Sequence, residues 1–185
     1  MTNQYKDKPY NDYGQWIRQR FPFRVQKISV DAGFSCPNRD GPISHGGCIF
    51  CDNRTFNPSY CQPSKSIAQQ MEEGKAFFRH KYPDMKYLAY FQAYSNTYAP
   101  LDVLKRRYEE ALAVEDVVGL VIGTRPDCIS TELLDYLEEL NRRTFLIVEY
   151  GIESVNDDTL HHINRGHPPP PHHPWARLRV EPTSH

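Results

Sequence analysis

From residue 23 onward the chain alternates short β-branched, apolar runs with longer stretches in which apolar residues recur at helical spacing. Residues 23–30 predict a first strand, and a loop rich in Gly, Pro, Asn and Cys follows to Pro63. Ser66 and Gln69 have the spacing of a capping box, so a helix is expected from there to Tyr82. Residues 87–94 predict a second strand; 101–114 predict a helix behind Pro100, a residue favoured in a first helical turn. The apolar run of the third strand, 117–123, is continuous rather than alternating, as expected where both faces are covered. Ser130 is placed to cap a helix to Arg143, residues 144–150 predict a fourth strand, and Asn156 is placed to cap a short helix.

Four strand–helix units in strict alternation predict an α/β fold with a parallel sheet, because a helical crossover is what joins parallel neighbours. The loops that follow the strands then gather on one edge, where ligands bind in such folds. At 185 residues the chain falls short of the roughly 250 of a complete (βα)8 barrel. The expected organisation is an N-terminal extension over 1–22, a core over 23–166 and a tail over 167–185. The tail holds six of the 15 prolines and four of the eight histidines with no apolar period, so disorder is expected there. It begins abruptly inside an α/β pattern, as a frameshift product would. In the extension, Tyr10, Tyr13, Trp16, Arg18, Arg20 and Phe21 mix aromatic and basic character. Such a mixture can stack on RNA; a helix packing its aromatics onto the barrel is the favoured expectation.

Composition narrows the class. Apolar residues make up 39% of the chain, enough for a real core despite a mean hydropathy of -0.68. A net charge of -1 provides no global field to attract nucleic acid or an anionic membrane. No apolar run approaches the roughly 20 residues a membrane span needs, and the polar N-terminus lacks a signal region, so no membrane partner and a cytoplasmic location are expected. Five cysteines without such a signal argue against a disulfide framework and for metal or redox work.

The loop after the first strand, FSCPNRDGPISHGGCIFCDN, presents Cys36, then eleven residues, Cys48, two residues and Cys51. Three thiolates on one loop at the mouth of a parallel sheet suit a tetrahedral zinc, with Cys61 or His45 as fourth ligand. They equally suit three irons of a 4Fe–4S cluster, or they are inert or regulatory. Cys128 fits a small buried residue, and His161 and His162 a solvent-facing helix.

DAGFSCPNRDG, GGCIFCDN, YFQAYSNTYAP, GTRPDC, VEYGIES and HHINRGH stand in that order over roughly Tyr10 to Gly166. Together they resemble the radical S-adenosylmethionine (SAM) superfamily, within it the YhcC-like bacterial group akin to the catalytic subunit of Elongator. The resemblance implies a partial (βα) barrel of the radical SAM type, about four units of which are present, with a 4Fe–4S cluster on Cys36, Cys48 and Cys51. SAM would chelate the open iron, and one electron would cleave it to a 5'-deoxyadenosyl radical that abstracts hydrogen from a substrate. A one-electron donor such as flavodoxin or ferredoxin is implied as partner, and an RNA substrate by the Elongator analogy.

Gln92, Ser95, Asn96 and Thr97 occupy the place of the superfamily's Gly-Gly-Glu stretch, which is absent here; they are expected to hydrogen-bond the cofactor or simply to form a turn. Glu149, a carboxylate in an otherwise apolar strand, needs a partner or a use: the ribose or amino group of SAM by resemblance, or an ion pair with Arg125. Arg125, beside Asp127, can meet the cofactor carboxylate in a bidentate pair or serve a structural bridge. With fifth and sixth strands lacking, an exposed sheet edge and an inactive or poorly soluble chain are expected. A structural zinc module and an inactive fragment are the alternatives.

Overall fold

The computed structural model describes residue 10 and residues 12–55, 57–79 and 84–167. The expected tail beyond His167, and residues 80–83 where the helix begun at Ser66 was placed to end, lie outside them. In chain order the elements are α1 (Tyr13–Arg20), β1 (Val25–Val30), α2 (Pro37–Asp40), α3 (Ile67–Arg79), β2 (Lys86–Phe91), α4 (Leu101–Leu112), β3 (Val117–Thr124), α5 (Thr131–Arg143), β4 (Phe145–Tyr150) and α6 (Asp157–His162). The four strands form one parallel sheet in the order β1-β2-β3-β4, each joined to the next through a helix. This is the parallel α/β sheet that the alternating pattern predicts, and it agrees with the partial βα barrel that the resemblance implies.

Side chains alternate along the strands, and the two faces of the sheet receive different partners. On the outer face Ile28, Val30, Ala89, Phe91, Leu120 and Ile122 pack against α3, α4 and α5 through Met71, Leu104, Tyr108 and Leu140. α3 crosses β1 so closely at Gly74 that a Cβ there would collide with Ile28. On the inner face Leu88 and Val121 are covered by Ile17 of α1, with Trp16, Phe21 and Phe145 packed around them. Phe21 meets Phe145 edge-on at 5.0 Å between ring centroids. The aromatics of the extension are therefore a plug under the barrel, and Arg20 lies on Trp16 at 3.8 Å. β4 forms the far edge of the sheet, and all six of its residues are half-buried.

Local signals were mostly honoured. Ser130 Oγ accepts from Leu133 N–H at 3.2 Å and Asn156 Oδ1 from Thr159 N–H at 3.0 Å, so both caps form as expected. Ser66 Oγ accepts from Gln69 N–H, yet the Gln69 side chain donates to Glu73 instead of reaching back, leaving the capping box half made. Pro100 is the N-cap of α4 and lies outside its first turn. β2 ends at Phe91 rather than residue 94, because Tyr94 takes a left-handed φ of 63° that no strand accommodates. The cysteine loop also contains a short helix, α2, in a segment whose Gly and Pro content predicts only irregular chain.

Candidate functional site

The loops after β1, β2, β3 and β4 converge at the C-terminal edge of the sheet around a pocket of about 420 Å³, within the usual range for small-molecule sites. Cys36, Cys48 and Cys51 all line it, brought together by α2: Cys36 precedes the helix, and its carbonyl accepts from Arg39 N–H at 2.8 Å and Asp40 N–H at 3.1 Å. Cys51 N–H donates to Cys48 O at 3.0 Å, which turns the two sulfurs of the second motif together. Burial pushes the Cys51 thiol above its ordinary value; the Arg39 guanidinium opposes that, and the Cys48 and Cys36 sulfurs reinforce it. Cys48 Sγ accepts from Asn38 Nδ2 at 3.5 Å and from Arg165 Nη1 at 3.6 Å, two donors suited to a thiolate.

Cys61 lies elsewhere, inside the outer core, where burial and then the nearby Asp31 push its thiol up to about 12. His45 is exposed and pairs across a short bridge with Asp40. A tetrahedral zinc with bonds of about 2.3 Å draws its thiolates to within about 4 Å of one another. Among the described residues, no three His, Cys, Asp or Glu side chains converge to hold such an ion. Cys36, Cys48 and Cys51 do share the lining of one pocket, and a 4Fe–4S cluster offers a separate iron to each of three thiols.

Gln92 and Ser95 also line the pocket, Gln92 accepting from Ser29 Oγ at 3.3 Å. Asn96 stands behind it: fully buried, it donates from Nδ2 to the carbonyls of Phe91 at 3.0 Å and Gly123 at 2.8 Å and ties β2 to β3. Thr97 likewise meets Thr124 at 2.5 Å and serves the frame. Arg125 is 2% exposed and gives Nε and Nη2 to Asp127 at 2.8 and 2.7 Å, with Nη1 on Arg165 O at 2.9 Å. Burial alone would raise the Asp127 carboxyl, but the Arg125 bridge outweighs it and holds Asp127 below the usual carboxylate range.

Glu149 does not pair with Arg125. Its two oxygens are taken by Lys27 Nζ and Tyr90 OH, each at 2.8 Å, and Lys27 also lies over the rings of Tyr13 and Tyr90. Sequence reasoning missed Lys27: a lysine in β1 looks like an edge residue until the sheet places it beside β2 and within reach of β4. It also left Arg165 and Asn164 of HHINRGH without roles. Asn164 Nδ2 donates to Gly47 O at 2.9 Å, and its carbonyl accepts from Asn38, so the segment after α6 is laced to the cysteine loop. Gly166 (φ +72°) makes that approach possible, since a Cβ there would come within 2.8 Å of Asn38 Oδ1. Among the described residues four non-glycine residues have positive φ; Tyr94, Glu153 and Asn164 border this site and Asp116 lies away, a concentration of backbone strain typical of functional sites. A larger cavity of about 580 Å³, between the starts of α4 and α5, contains Cys128 but none of the three loop cysteines.

The family model described as the Radical SAM superfamily matches residues 39–171. Protein YtqA of Bacillus subtilis is 43% identical over 161 residues, covering 87% of this chain and 50% of that protein. Protein YhcC of Escherichia coli K12 is 41% identical over 162 residues, covering 86% and 51% respectively. Protein MJ0486 of Methanocaldococcus jannaschii is 37% identical over 165 residues, covering 85% and 48%. The chain thus spans about half the length of the curated relatives it matches. Four parallel βα units, a three-cysteine loop at their C-terminal edge and a family match over most of the body lead to one identification: the chain belongs to the radical SAM superfamily, among YhcC- and YtqA-like proteins.

Proposed function

We propose that residues 23–166 are the SAM-cleaving core of a radical enzyme, with α1 supplying its floor and Cys36, Cys48 and Cys51 holding a 4Fe–4S cluster. The superfamily typically uses such a cluster with SAM and a reductant. The observation that carries the proposal is that Cys36, Cys48 and Cys51 line one pocket together with Gln92, Ser95 and Arg125. When bound, the cluster supplies one electron for reductive cleavage of SAM to methionine and a 5'-deoxyadenosyl radical.

The protein's own groups do the rest. The three cysteines act as thiolates, with the Arg39 cation beside Cys51. Gln92 and Ser95 present polar side chains to SAM, while Asn96 and Thr97 hold the strand ends that carry them. Lys27 and Tyr90 fix the Glu149 carboxylate against the pocket, where it can accept a hydrogen bond from the ribose or amino group. Arg125, held by Asp127, keeps the β3 loop and residue 165 in register beside the pocket. The α1 plug closes the barrel from below, and exclusion of water and stray hydrogen donors is what a carbon radical requires. Flavodoxin or ferredoxin would serve as donor.

Anaerobic loading with iron and sulfide tests the proposal. Broad brown absorbance, and 5'-deoxyadenosine released from SAM under dithionite, are the results expected on this reading, in place of the inactivity expected from the lacking strands. A colourless zinc protein, or a brown one that leaves SAM intact, would sink it. No described helix is long and apolar enough to cross a membrane.

A further inference from the structure

The segment 163–167 does more than close the end of α6. Arg165 is buried at 7% exposure, and its guanidinium is fully committed: Nε donates to His167 Nε2 at 3.0 Å, Nη2 to Gly151 O, and Nη1 to Cys48 Sγ at 3.6 Å. Its charge is only loosely answered, since Glu153 stands 3.7 Å away and is the more exposed member of that pair. Arg125, by contrast, spends its charge on the bidentate Asp127 bridge. Of the two buried arginines at the site, Arg165 is therefore the one with an under-neutralised cation and an N–H aimed at sulfur.

The geometry points to Arg165 as a positioning residue that sets the reduction potential of the metal group on Cys48, acting through an N–H···S bond and a buried positive charge. This rests on the cluster assignment proposed above. A reduced cluster carries one more negative charge than the oxidised one, and its thiolate sulfurs become better hydrogen-bond acceptors. Donors to sulfur and nearby cations therefore favour the reduced form, and such contacts are among the levers that tune iron–sulfur potentials. Asn38 Nδ2, at 3.5 Å from the same sulfur, assists as a neutral donor. The device ties the cluster to the segment that follows α6, 117 residues downstream of its ligand.

The test uses the full chain, loaded anaerobically with iron and sulfide, and reads iron content first and then the midpoint potential by EPR-monitored redox titration. Arg165→Met is expected to load like the wild type but to make one-electron reduction about tenfold less favourable, a midpoint lower by about 59 mV. Arg165→Lys, which keeps the charge and loses the planar fork, should fall between. Asn164→Gly removes the neighbouring lacing without touching sulfur; it is expected to lower the melting temperature and leave the potential unchanged. An Arg165→Met midpoint equal to the wild type at equal iron content would overturn the tuning role. Should Arg165→Met load poorly, Arg165→Gln, which keeps an N–H but no charge, carries the measurement. Loss of loading in both alongside a fully loaded Asn164→Gly would overturn it in favour of an assembly role. A wild-type chain that takes up no iron would show instead that the cluster assignment itself is wrong, and the inference would fall with it.

Discussion

The two faces of the sheet are built from alternate residues of the same four strands, yet they do different work. The outer face is a continuous apolar seal in which Ile28, Phe91, Leu120 and Ile122 are fully buried beneath three helices. The inner face is apolar at its base, where α1 covers Leu88 and Val121; Lys27, level with Leu88, reaches Glu149, which also holds Tyr90, and the face then opens into the cysteine pocket. Burial of apolar surface, about 25 cal/mol per Å², drives the fold from outside. The inside holds charges that cost energy to bury and are retained only because each finds a partner. Stability and chemistry are thereby separated by the pleat of the strands, and substitutions on the two faces should have different signatures.

The largest effect is expected at the pocket. Cys36→Ala, Cys48→Ala or Cys51→Ala should each abolish retention of a reconstituted 4Fe–4S cluster, while Cys61→Ala and Cys128→Ala keep it; iron and sulfide analysis after anaerobic loading decides. Equal iron in all five variants would erase the distinction between the loop cysteines and the rest.

Asp127→Ala removes the partner of a guanidinium that is 2% exposed and should cost about 3–5 kcal/mol in urea unfolding. The same pair predicts a pH dependence. Because Asp127 is held below the usual carboxylate range, its contribution is complete above the ordinary unfolded value of about 3.9 and fades as pH falls through the lower folded value. Acid titrations of the melting temperature should show a shallower loss in Asp127→Ala than in the wild type. A parallel loss in both proteins would mean that the Asp127 carboxyl is not held below its ordinary range and that the bridge carries no pH-dependent stability.

On the outer face, Leu120→Ala deletes a fully buried side chain and should cost about 3 kcal/mol with the iron content of folded material unchanged. Stability and loading falling in proportion would blur the separation drawn above. The smallest effect is expected for Glu149→Gln. The Lys27 and Glu149 side chains are 23% and 38% exposed, so the pair contributes about 1 kcal/mol or less. Its larger consequence should be weaker SAM binding, read by equilibrium dialysis against the loaded protein; unchanged binding would demote Glu149 to a structural anchor for Lys27.

Much of the frame could be read from local signals. Ser130 and Asn156 cap helices through their own side chains, and β3 reads as a doubly covered strand because Leu120, Val121 and Ile122 all needed burial. The boundary errors have local causes too, such as the left-handed Tyr94 that cuts β2 short. The partners of buried charges were not readable. Glu149 looked equally fit for Arg125 or a ligand, and the choice of Lys27 depends on the order and register of the whole sheet, which bring Lys27 of β1 within reach of Glu149 of β4.

What the sequence by itself determined is the alternation of strands and helices, the parallel sheet and the identity of three clustered thiols, because hydrophobic period and cysteine spacing are properties of neighbours along the chain. Only the tertiary structure decided that Cys61 belongs to the core, that Asn96 stands behind the pocket and that Arg165 returns to touch Cys48. Those outcomes depend on distances between residues far apart in the chain, set by strand register and by a glycine that lets two backbones meet. Charge pairing falls off with separation in space, and separation in space is what a linear pattern does not encode.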